Sequence, residues 1–122
     1  MPTTERHLWQ VVRNRNLLAL LDPETTLFLE WVVTVIFYTA LHLVEARLAK
    51  HNLHMGTHAD RDNWIQADGA LRYTVWPLYK ELEDYSHEAR YQCVGFDRNH
   101  VVGTLLEDLE RIDQAIRPLL GL

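Results

Sequence analysis

The stretch "LEWVVTVIFYTALHLVEARLAKHN" constrains this chain more than any other part of it. Read at a helical period it carries two stripes. Val33, Phe37, Leu41, Val44 and Leu48 form one; Trp31, Val35, Tyr38, His42 and Glu45 form the other. A helix apolar on two sides needs covering on two sides, so it predicts either the central helix of a bundle or one that also faces a second subunit. The second stripe is a first hint of a dimer. The most hydrophobic part, from Trp31 to Leu41, is bracketed by Glu30 and by His42 and Glu45, and falls short of the ~20 apolar residues of a membrane span. It reads as a core helix, with no membrane partner expected.

The remaining segments supply that cover. A first helix is predicted over about Thr4 to Leu21, with Leu8, Val11, Leu18 and Leu21 at three- and four-residue steps. "DPET" follows as a stop and restart, with Asp22 as N-cap and Pro23 in the first turn of a long helix reaching about Asn52. Gly56 marks a turn, and Thr57 caps a helix from His58 to about Val75. Pro77 opens the next helix, to Gln92, with Leu78, Leu82, Tyr85 and Ala89 on one face. "CVGFDRN" is a loop, and Val102, Leu105, Leu109, Ile112, Ile116 and Leu119 line a last helix from about Asn99 to Leu119. No strand-like alternation interrupts this order. The chain reads as one all-α domain over residues 1 to 122, an antiparallel bundle of four to five helices.

Composition narrows the function classes. The single cysteine, Cys93, excludes an intrachain disulfide framework and any four-cysteine zinc site. "MPTTERHLWQ" has charges and an aromatic where a signal peptide needs an apolar run, so a cytoplasmic location is expected. A net charge of -5 argues against broad, sequence-independent binding to duplex nucleic acid. "RHLWQVVRNR", with Arg6, Arg13 and Arg15, still offers a local basic patch.

Further along, "FYTALHLVEARLAKHNLHMGTHADR" followed by "LYKELEDYSHEARY" resembles small bacterial HEPN-domain proteins. Their pattern is a long aromatic helix, a glycine-containing turn, a Ser/Thr-His-x-x-Arg element, and a later helix ending in an arginine and tyrosine. The resemblance covers about residues 25 to 95. It implies a HEPN-like homodimer that acts on RNA, with metal-independent endoribonuclease activity in a toxin-antitoxin or defence system. An antitoxin or a nucleotidyltransferase would then be its partner protein. The alternative is a non-catalytic dimerising bundle that binds a nucleotide or a partner protein.

The family's nuclease motif is an arginine followed after four to six residues by a histidine. Here only Arg47 and His54 have that spacing, and they share a face if the helix persists to His54. Arg47, His54 and His58 are therefore the catalytic candidates, histidine for proton transfer and arginine for the phosphate. Arg61, Ser86 and Arg90 are the substrate-binding candidates, Ser86 and Arg90 being four apart. Each also has a bland reading, with Arg61 bridging to an acid such as Glu88 and Arg90 bracing the bundle. His42 reads as a buried histidine held by one hydrogen bond. No cofactor is expected, and no metal: His51, His54 and His58 have helical steps, but Gly56 should end the helix between them.

Overall fold

The computed structural model describes residues Met1 to Leu122 and contains helices only. They are α1 (Thr4–Leu21), α2 (Leu29–Lys50), α3 (His58–Ala67), α4 (Trp76–Tyr91) and a composite α5. α5 opens at Arg98–His100, widens into a π turn over Val101–Leu105, continues as Leu106–Ile116, and tightens into a 3-10 turn at Arg117–Leu120.

α2 is the axis, in contact with α1, α4 and α5. Thirteen of its 22 residues are buried, including all five of the first expected stripe. Val32, Ile36, Ala40 and Leu43 are buried as well, so the helix is enclosed on more sides than two stripes require. By length and apolarity α2 could cross a membrane, but 78% of its most apolar window lies inside the bundle. The second stripe is graded: Trp31 is exposed, Tyr38 and His42 are half-buried, and Glu45 is fully enclosed.

Polar fastenings set how the other helices lie. Thr3 caps α1, and the Thr4 hydroxyl donates to the Ala46 carbonyl at 2.9 Å, so the start of α1 meets the end of α2. Arg15 clamps α1 to α5 through Glu110 at 2.7 Å and Asp113 at 2.8 Å, and Asp113 also pairs with Arg117. Arg98 donates to the carbonyls of Pro23 and Thr26, tying the first connection to the start of α5.

Several expected boundaries move. Asp22 does not cap α2; it ends α1 in the left-handed region (φ 54°), and its side chain accepts from Thr25. Aspartate tolerates that conformation, so the chain turns for seven residues before α2 begins. α3 stops at Ala67, short of Val75, because the Asp68 carboxylate accepts from Ala70 N–H and stabilises a turn instead. On α4 the enclosed seam is Tyr79, Leu82 and Ser86; of the expected face Leu82 lies in this seam, and Leu78, Tyr85 and Ala89 pack beside it partly buried. On α5 the enclosed positions are Val101 and Leu120 in place of Val102 and Leu119, because the wide and tight turns shift the helix phase at both ends.

Asp108 sits on the enclosed side of α5, only 5% exposed, with its Oδ2 unpartnered. Burial, and then the neighbouring Glu81 carboxylate, push it up to about 7. The folded state therefore holds a proton that the unfolded chain loses near pH 4. This contribution is full below pH 4 and is lost as pH rises towards 7. Asp108→Asn should remove that slope and raise stability at pH 8, because the amide puts no charge into the enclosed side of α5 beside Glu81. Urea unfolding of both proteins at pH 5 and pH 8 checks it; equal pH dependence in the two would refute the assignment.

Candidate functional site

Four parts of the chain bring polar side chains together beside the C-terminal half of α2. His42 and Glu45 are one turn apart on the same face. The Thr4 fastening places His7, one turn into α1, against them, with its Nδ1 3.0 Å from His42 Nδ1. Burial, foremost, lowers the affinity of both rings for a proton, and Glu45 only partly opposes it. His42 has the one hydrogen bond expected of it, but it is half-buried and not enclosed.

The end of α2 decides what else arrives. The helix stops at Lys50 because Asn52 takes a left-handed conformation (φ 56°). Leu53 N–H then returns to Leu48 O, and Asn52 N–H to Ala49 O, an arrangement that satisfies the last carbonyls and reverses the chain. Arg47 and His54 consequently do not share a face. Arg47 pairs with Asp68 at 3.5 Å beside a cleft of about 310 Å³ that it lines with His51 and Trp64. His54 is carried back to Glu45, its Nδ1 3.4 Å from Oε2. The expected arginine-histidine pair is therefore not assembled within one chain.

α3 supplies the counter-charge. Thr57 accepts from Asp60 N–H and fixes the first turn, which aims Arg61 inward. Its Nε donates to Glu45 Oε1 at 2.8 Å, and its Nη2 donates to Met55 O at 3.1 Å. Side chains of the pair are 8% and 2% exposed. Arg61 is thus a positioning residue bound to Glu45, not to Glu88, and it does not stand free at the surface to meet substrate.

His58 and Arg90 form the outward part. His58 is exposed, packs on Phe37 with ring centroids 5.9 Å apart, and lies 3.3 Å from Arg61 Nη1. Burial, then the positive charges of Arg61 and Arg90, disfavour its protonation. Arg90 donates to the Tyr38 hydroxyl at 2.9 Å and to the Ser86 carbonyl at 3.2 Å. No carboxylate lies within ion-pair distance of it. Its guanidinium lies 5.1 Å from the Tyr91 ring centroid, and it lines a small cavity of about 160 Å³ with Trp31, Glu30 and Thr34. Trp31 and Tyr91 are 58% and 65% exposed. Ser86, expected beside Arg90 on a phosphate, is fully buried in the α4 seam and out of reach of a ligand.

The three turn histidines do not converge: His51 turns to Trp64, His54 to Glu45 and His58 to Arg61. The group that does is His7, Glu45 and His54, whose ligand atoms lie within 4.8 Å of one another. His7 and Tyr38 were missed as site residues. The i,i+3 spacing of His42 and Glu45 was a visible signal, whereas nothing in the sequence pairs His7 with a residue 35 positions on.

Removing one member of a buried ion pair strands the other charge. Arg61→Met should lower stability by about 3–5 kcal/mol in urea unfolding, and adding Glu45→Gln should return much of that loss. If the double variant is no better than the single one, the pair is not the source of the loss. In comparisons with protein-family models, curated proteins and solved structures, this chain finds no match.

Proposed function

We propose that this protein is a HEPN-like bundle that acts on RNA as a homodimer, taking a backbone phosphate between Arg90 and His58. The observation that carries the reading is Arg90. It is a half-buried guanidinium with no carboxylate partner, held by Tyr38 and Ser86 and flanked by the exposed rings of Trp31 and Tyr91. A fixed cation beside exposed aromatic faces suits a single-stranded segment, whose phosphates seek arginine and whose bases stack.

For cleavage, a neutral imidazole takes the 2'-OH proton and a second group protonates the departing 5' oxygen. His58, shifted towards the neutral form, suits the first role. A facing copy across the dimer would supply the second. In this reading the enzyme is a metal-independent endoribonuclease working in the cytoplasm, with an antitoxin or nucleotidyltransferase as its natural partner. Arg47 and Arg61, both engaged with carboxylates, favour the second reading, a non-catalytic dimer that binds a nucleotide or a partner protein.

Fluorescence anisotropy with a labelled single-stranded RNA, run beside a cleavage assay on total RNA, tests both. Arg90→Ala should bind about tenfold more weakly or worse, the loss of one charge-assisted contact. RNA cut by the parent protein and left intact by His58→Ala would identify the ribonuclease. Binding without cutting would select the second reading for a nucleotide ligand. No RNA binding by the parent protein would overturn the proposal.

A further inference from the structure

We propose that His7, Glu45 and His54 form a binding site for a divalent transition-metal ion of the zinc class, which clips the start of α1 and the turn after α2 onto α2. The three ligand atoms come from three separate parts of the fold and lie within 4.8 Å of one another. Tetrahedral zinc with bonds near 2.1 Å holds neighbouring ligand atoms about 3.4 Å apart. Glu45 and His54 already stand at that spacing, 3.4 Å apart, so the contraction needed, at most about 1.4 Å, lies between His7 and the other two. His54, 44% exposed on a turn, leaves a way in from solvent.

Glu45 is the second, independent observation. Its side chain is 2% exposed, and Arg61 occupies Oε1 while Oε2 accepts no hydrogen bond. A buried carboxylate oxygen without a donor is costly, and here it points towards two imidazoles. Because Arg61 holds the other oxygen, Glu45 would bind an ion through Oε2 alone. His42, with its Nδ1 3.0 Å from that of His7, orients the His7 ring as outer partners of metal-bound histidines do.

Two imidazoles and one carboxylate select the class of ion. Magnesium and calcium take oxygen ligands, whereas imidazole suits zinc and its neighbours. With three protein ligands a fourth position stays open for water. The inference does not rest on the RNA reading, since neither His7 nor Glu45 belongs to the Arg90 surface.

Tag-free protein, stripped with a chelator and dialysed, should be titrated with zinc against a chromophoric competitor, and with cobalt(II) while its visible spectrum is followed. No RNA is present, so failure here leaves the RNA reading standing. The expected result is one ion per chain, a tetrahedral-type cobalt band, and a melting temperature that rises with zinc concentration. His54→Ala should weaken uptake at least tenfold and abolish the band; His51→Ala, in the same turn, should change neither. His7→Gln should match His54→Ala, and if it does not fold without metal, His54→Ala alone decides. Absence of stoichiometric uptake, or uptake that His54→Ala leaves unchanged, would overturn the proposal.

Discussion

The structure depends on a charge that has nowhere else to go. Glu45 lies on the most enclosed helix of the bundle, where an isolated carboxylate could not remain ionised without large cost. Arg61 answers it at 2.8 Å. To deliver Arg61 there, α3 must start where Thr57 caps it, and the chain between α2 and α3 must reverse within a few residues. The pair therefore determines where the turn runs, and the turn determines that His54 comes back to Glu45 while His58 faces out.

A bundle this small gains most of its stability from burying apolar surface, and polar groups in its core subtract from that gain unless each is matched. Around α2 the matching is uneven. Arg47, Arg61 and Arg15 are tied to carboxylates, whereas Arg90 is held only by a hydroxyl and a carbonyl. Ser86, Tyr79 and one oxygen each of Glu45, Asp62 and Glu83 are enclosed without a hydrogen-bond partner. His100 and Asp108 on α5 each carry one such atom as well, so the unmatched groups are spread over α2 to α5.

Much of the fold was legible because it rests on local rules. The doubly apolar α2, the Thr57 cap, Pro77 in the first turn of α4 and the absence of strands each follow from spacing and residue type. The site was less legible because it is assembled from distant positions and from local competition. Asn52 adopting a left-handed conformation separated Arg47 from His54. Asp68 bonding its own turn shortened α3. The α4 seam takes in Tyr79 and Ser86 beside the expected face and encloses Ser86, while Arg90, one turn further, stays at the rim. Neither helical period nor motif spacing carries that information to better than a residue or two.

The π turn at Val101–Leu105 gives the last helix a surplus residue. It places Val101 in the core and leaves His100 edge-on to Tyr85, with centroids 4.9 Å apart. A regular helix advances about 100° per residue, so a chain one residue shorter here would heal the π turn and rotate everything upstream of it by that angle. The loop before α5, anchored through Arg98 to the first connection, would be turned with it. Chain length at this point thus acts as a phase setting between the two ends of the bundle, a quantity that substitutions leave untouched and single-residue insertions or deletions would change.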